Sequence, residues 1–290
     1  STGSTRVTAS TAKSPERYLK MSEIVLSSAV RSNLLQLQST SDLIGSTQTK
    51  LATGKRVNSA LDNPNNFFTA QGLDNRANDL NNLLDSMSSG INTIQAANNG
   101  ISAITKLVQS AQSLVSQAQQ TSDTTVRASL ATQFGAIRTQ IDQLAGDAGF
   151  NGTNLLNAQS LTIKLNEVGT SSTTVTGVTD TATGLTIGAA ANNWAATGDI
   201  TTASTDLTAA LGKLRSQAQT LGSSLSVVQI RQEFTKSTIS TLQAGSAALT
   251  LADSNQEGAN LLALQTRQQL STTALSLASQ ADQNVLRLFR

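Results

Sequence analysis

With His and Cys absent, the side chains of this chain best suited to acid–base or metal chemistry are carboxylates. Among 290 residues there are 18 Asp and Glu, 20 Lys and Arg, and no His or Cys. The absence of Cys rules out disulfides, thiolate metal sites and a cysteine nucleophile. The absence of His rules out Ser-His-Asp hydrolysis, His-ligated metals and the commonest general base. What remains is scattered carboxylates, among them Asp74 and Asp79, Asp142 and Asp147, and Asp253 and Glu257. The last pair, four residues apart on a helix, could approach a cation, but a competent site needs more converging oxygens. We therefore expect no catalytic residues, no metal site and no cofactor. Gly149-Phe-Asn-Gly-Thr153 lacks the ending of a phosphate loop, and its Asn-Gly step reads as a tight turn.

The elements that carry these residues are dominated by seven-residue spacing. Leu73, Leu80, Met87, Ile94, Ile101, Val108 and Val115 recur at sevens, with Ala77, Leu84 and Ile91 as the second seam position. Downstream, Leu207, Leu214, Leu221, Val228 and Leu242 keep the same spacing, with polar Thr235 interrupting them. Such repeats keep one stripe of each helix against a partner. Between them, Leu130, Phe134, Ile137, Ile141 and Leu144 form a shorter amphipathic helix ending at Gly146. Together they imply an antiparallel rod or bundle. Gly90 and Gly100 are expected to weaken the first long helix.

Both ends are also helical by pattern. Val30, Leu37, Ile44 and Leu51 lie at sevens before Gly54, and Ala274, Leu277, Ala281, Val285 and Leu288 follow 3-and-4 spacing. The other faces carry uncharged polar residues rather than Lys and Glu, which suits helices covered by many neighbours. The turn formers of Lys55–Asn66 should break the helix. In the middle of the chain Leu161, Ile163 and Leu165 alternate as a half-buried strand. Gly184–Gly188 suggests another strand and Thr170–Asp180 a loop. This middle segment, which includes Trp194, is expected to be the most exposed part.

The basic balance is local to one end. The first 20 residues carry a net +3 and the rest a net −1, with no Lys/Arg stripe interleaved with aromatics, so no nucleic-acid partner is expected. No apolar run approaches a membrane span and no cleavable leader pattern stands at the start, so membrane insertion is not expected either. Residues 1–20 read as a disordered extension (a tag or mis-start), with the native start near Met21.

Three motifs resemble bacterial flagellin. Lys50-Leu-Ala-Thr-Gly-Lys-Arg-Val-Asn-Ser-Ala-Leu-Asp-Asn-Pro64 is similar to the family's turn followed by an Asn-Ser-Ala motif, here Asn58, Ser59 and Ala60. Phe150, Asn151 and Gly152 resemble its Phe-Asn-Gly hairpin entry, and Gln280–Arg290 its C-terminal helix. The resemblance implies a mainly α fold, a long antiparallel helical hairpin or coiled-coil rod with a small β-hairpin region at its distal end. It implies an inner coiled-coil domain at 21–53 and 253–290, and spoke linkers at 54–66 and 244–252. An outer rod would occupy 67–165 and 203–243, with a short variable surface region at 166–202. The function implied is a structural subunit of the swimming filament, secreted without a cleavable signal peptide and present in the extracellular flagellum. Its partners would be further copies of the chain, the export apparatus and an export chaperone, and the hook-associated junction and cap proteins. Inner-helix assembly would fall to Val30, Leu37, Ile44, Leu51, Leu277, Val285 and Leu288. The rod core would hold Leu73, Leu80, Met87, Ile94, Ile101, Val108, Leu214, Leu221 and Val228. At the region read by the Toll-like flagellin receptor, Ala103 stands where receptor-active flagellins carry Arg and Lys106 replaces an acidic residue, while Leu107 is kept. That departure argues against immune-receptor activation. The alternatives are a hook–filament junction protein and a flagellin-like surface binding protein using the segment around Trp194.

Overall fold

A computed structural model of the chain describes residues 28–288. Residues 1–20, read as an extension, lie outside it. Two units emerge, one from residues 28–56 with 252–288 and the other from Val57–Leu251.

The first unit is a helix pair, α1 (Ser28–Thr53) against α5 (Ser254–Leu288). Helix α1 ends at Gly54, whose φ of 67° is the left-handed cap that favours glycine. Ala252 N–H then donates to the Gly54 carbonyl at 3.0 Å. Asp253 caps α5, its Oδ1 accepting from the backbone of Asn255 (2.9 Å) and Gln256 (3.2 Å). The centre of the α1 seam is polar. Thr40 and Thr47 are buried beside Val30, while Leu37, Ile44 and Leu51 are only half-buried. Thr40 satisfies its hydroxyl by donating to Gln36 O at 2.8 Å.

The second unit is built on α2 (Pro64–Gln120) and α4 (Thr197–Thr250), which run antiparallel, with Gln232 donating to Ser88 Oγ at 2.9 Å. Helix α3 (Thr124–Asp147) packs on α2. Pro64 starts α2 behind Asn63, whose side chain accepts from Asn66 N, and Asp123 caps α3 in the same manner. At the other end of α3, Asn154 donates to the carbonyls of Ala145 and Gly146, both at 2.8 Å. The Asn151-Gly152 turn joins Phe150 to Thr153 by reciprocal backbone bonds, with φ of 48° and 80° at its centre. Strands β1 (Leu161–Lys164) and β2 (Ser172–Val175) pair antiparallel, so that Ile163 and Val175 face inward.

Several expectations need correction. Gly90 and Gly100 do not interrupt α2; they let the β-hairpin and the end of α3 approach it. A Cβ on Gly90 would lie 2.5 Å from Ile163 Cδ1, and one on Gly100 2.6 Å from Ala148 Cβ. Helix α2 already includes 64–66, and α4 extends unbroken across 197–202 and 244–250, so those residues are helical. The Thr-rich stretch contains β2, because cross-strand pairing with β1 overrides its loop-like composition. Gly184–Gly188 is no strand: Leu185 N donates to Thr181 O and Ile187 N to Ala182 O, making a turn that buries both apolar side chains.

The middle segment is also not uniformly exposed. Trp194 is fully buried, its ring 5.0 Å from that of Phe134. To put it there, Asn192, Asn193 and Trp194 all adopt positive φ, of 48°, 50° and 58°. Left-handed backbone costs about 1–2 kcal/mol per L-residue, and burying the largest side chain of the chain offsets that strain.

Candidate functional site

Five charged side chains of the second unit fasten the segment from Asp180 to Ala195. Asp142 of α3 accepts from Ala182 N at 2.7 Å, and Arg138 donates to Ile187 O at 3.1 Å. The buried Arg127 bonds the carbonyls of Thr121 (2.8 Å) and Ala195 (3.2 Å). From α4, Asp206 accepts from Gly188 N at 3.2 Å, and Lys213 reaches Gly184 O at 3.4 Å. Asp142 is thereby committed to a backbone N–H and Asp253 to its helix cap. Glu257, the other half of the proposed pair, lies 3.8 Å from Lys50. None of these carboxylates converges with others: among the described residues no group of three or more Asp and Glu could hold a metal ion. No described helix is long and apolar enough to cross a membrane.

Two carboxylates are perturbed in opposite directions. Glu167 sits below the usual range because its own backbone N–H and the Arg76 guanidinium, 2.6 Å away, bond the ionised form. Asp180 is pushed up by burial, against the opposing pull of Gln217 and Lys213 on α4. It is completely buried and neither carboxylate oxygen is hydrogen-bonded; Gln217 Oε1 is likewise buried and unpartnered. Nothing in the sequence pattern distinguishes Asp180 from the surface carboxylates.

The residues singled out from the sequence fall into four places. Leu80, Met87, Ile94, Ile101, Val108, Leu214, Leu221 and Val228 are buried together between α2 and its neighbours, and Leu73 packs on their margin. Val30, Leu37, Ile44 and Leu51 line α1, but Leu277 leaves the pair: it is 62% exposed, on the same flank of α5 as Leu262 and Leu270, each 67% exposed. The α5 residues that become half-buried are Glu257, Gly258, Leu261, Leu264, Gln268, Ser271, Leu275 and Ala278. The side chains of Val285 and Leu288 lie outside the described ones. Asn58, Ser59 and Ala60 form a turn closed by Asp62, whose Oδ2 accepts from the backbone of Asn58 and Ser59, both at 2.9 Å. Ala103, Lys106 and Leu107 line a groove of about 460 Å³ with Gln140, Gln143, Leu144 and Asp147 of α3.

The helix pair therefore has leucines on two sides. Leu34, Leu35 and Leu43 of α1 and Leu262, Leu270 and Leu277 of α5 are all exposed. Covering a leucine that is two-thirds exposed is worth about 1–2 kcal/mol. A pair that buries threonines at its own seam and exposes leucines on its flanks is built to be covered.

Two family models match this chain. Residues 22–161 match the bacterial flagellin N-terminal helical region and residues 200–289 the bacterial flagellin C-terminal helical region. The chain belongs to the bacterial flagellin family. Flagellin FljM of Caulobacter vibrioides is 33% identical over 264 residues, covering 89% of this chain and 94% of the relative. The flagellin of Brucella melitensis is 29% identical over 288 residues, covering 93% and 100%. A crystal structure of Bacillus cereus flagellin, at 24% identity and a TM-score of 0.45, covers 53% of this chain and 88% of its own. This flagellin is a structural subunit of the extracellular filament and not an enzyme. The alternative of a surface binding protein reading its partner through Trp194 loses that residue, which the core of the subunit encloses.

Proposed function

We propose that this flagellin assembles through its terminal helix pair, with the exposed leucines of α1 and α5 packing against copies of themselves in neighbouring subunits. The observation that carries this reading is the arrangement of Leu262, Leu270 and Leu277 along one flank of α5 while Thr40 and Thr47 occupy the intramolecular seam. A two-helix pair this poor in buried apolar surface orders fully when neighbours supply the rest. Val30, Leu37, Ile44 and Leu51 set the register within the pair. Val57–Leu251 is the outer body of the subunit, holding its own core and showing its hairpin and clamped segment at the filament surface.

Further partners follow from the same reading. The chain travels through the flagellar export apparatus, attended by an export chaperone, and meets hook-associated junction and cap proteins at the filament ends. The lack of cysteine suits passage as an unfolded chain. Ala103 and Lys106, in place of Arg and an acidic residue, make this flagellin a poor activator of the Toll-like receptor.

Elongation of filament seeds by purified subunit tests the assembly reading. Leu270→Asp leaves the second unit folded, as read by Trp194 fluorescence, but blocks elongation. Elongation by this variant at the wild-type rate would overturn the reading.

A further inference from the structure

The Asn-Gly step after Phe150 carries a chemistry that assembly does not use. An asparagine side-chain amide can be attacked by the backbone nitrogen of the next residue, and a following glycine leaves that approach uncrowded. The chain contains this step twice, as Asn99-Gly100 and Asn151-Gly152, and the fold treats the two differently. Asn99-Gly100 lies inside α2, where the Gly100 N–H belongs to the helix ladder and Ala148 and Leu156 pack against Gly100. Asn151 and Gly152 are both exposed, and a Cβ on Gly152 would meet nothing within 4 Å. Among the described residues the Gly152 N–H has no hydrogen-bond partner.

The turn itself acts as a gate. Its central φ values of 48° and 80° and its reciprocal Phe150–Thr153 bonds are those of a type I′ turn, whose first central ψ is about +30°. At that ψ the Gly152 nitrogen lies on the far side of the Cα–C bond from the Asn151 side chain, so a five-membered ring cannot close. The turn must open first. Local openings range from almost free at surface loops to the whole unfolding free energy in packed elements. Two backbone bonds hold the turn, whereas Gly100 is enclosed by α2 and its neighbours.

We propose that Asn151 is a self-modification site gated by its own turn. The Gly152 nitrogen bonds to Asn151 Cγ, the Cγ–Nδ2 bond breaks, and the side-chain nitrogen leaves as ammonia with the proton from Gly152. Water then opens the cyclic imide. Breaking the new Cγ–N bond leaves an ordinary aspartate; breaking the bond from Gly152 N to the Asn151 carbonyl carbon leaves isoaspartate, with an extra methylene in the main chain. Either product replaces a neutral amide by a carboxylate. Asn151 shares an open groove of about 510 Å³ with Asp85 of α2, so the new charge meets one of the same sign. Isoaspartate also breaks the Phe150–Thr153 register, next to Asn154, which holds the last carbonyls of α3.

Peptide mapping by mass spectrometry and isoaspartyl methyltransferase labelling, on the full chain at mildly alkaline pH, test this. In guanidinium both asparagines should convert at comparable rates. In the folded subunit Asn151 should convert about tenfold or more faster than Asn99. Asn154→Ala, which loosens the residues beside the turn, should speed Asn151 about tenfold and leave Asn99 unchanged. Asn151→Asp installs the carboxylate directly and should lower the melting temperature, and adding Asp85→Asn should restore it. A folded subunit whose Asn151 stays intact while the unfolded chain converts, or whose Asn99 converts as fast, overturns the proposal. An unchanged Asn151 rate in Asn154→Ala overturns the turn as the gate. Equal melting of Asn151→Asp with and without Asp85→Asn overturns the charge contact.

Discussion

Replacing Gly100 by Ala should destabilise the outer unit, although the same change at Gly222 should stabilise it. Both glycines lie inside long helices, where Ala is favoured over Gly by about 1 kcal/mol. At Gly222 an added Cβ meets nothing within 4 Å, so that gain is kept. At Gly100 it would stand 2.6 Å from Ala148 Cβ and 2.7 Å from Leu156 Cδ1. Carbon atoms rest at about 3.5–4.0 Å, so about an ångström must be opened between α2 and the end of α3. Leu156 can rotate, but Ala148 Cβ is fixed to the backbone and moves only with it. Overpacking of this kind costs about 1–3 kcal/mol, and the upper part of that range fits a rigid neighbour. The net expectation is a loss of about 1–2 kcal/mol for Gly100→Ala and a gain of about 0.5–1 for Gly222→Ala. For a unit of this size the melting shifts are about 2–4 °C per kcal/mol. Urea unfolding of the monomer, read by the fluorescence of Trp194, measures both changes on one probe. A Gly100→Ala midpoint at or above wild type would refute the close-approach explanation of this glycine.

Other expectations follow from the same unit. Asp180 has a folded pKa above its unfolded one, so its contribution is fully present below the ordinary carboxylate range and is lost as pH rises through the folded value. Asp180→Asn, whose amide can donate to Gln217 Oε1, should remove that loss and raise stability at neutral pH by about 1–3 kcal/mol; melting curves for both proteins from pH 4 to 8 that stay parallel would contradict this. Asn154→Ala removes both donors from the α3 carbonyls and the acceptor for Leu156 N, at a cost of about 2–3 kcal/mol. It should lower the melting temperature without altering helix content by circular dichroism.

Much of this molecule is legible from local pattern. Heptads mark α2 and α4 because burial of a stripe is repeated at every second turn, and Asn-Gly marks the turn after Phe150 because both central residues need positive φ. Gly54 marks the end of α1 for the same backbone reason. Strand β2 was hidden because its threonines pair with a strand eleven residues upstream, and composition does not reveal pairing. The 3-and-4 spacing through Leu277 shows that a stripe exists on α5, not which neighbour it faces.

From the sequence alone follow the helical build, the exclusion of histidine and cysteine chemistry and the resemblance to filament subunits, all carried by residue types and their spacing along the chain. Tertiary structure alone decided that Trp194 is interior, that Gly100 is a contact rather than a break, and that Asp180 is a buried carboxyl. Each of these depends on what lies across from a residue in space. Burial and close approach are properties of two segments at once, and one-dimensional periodicity records only one of them.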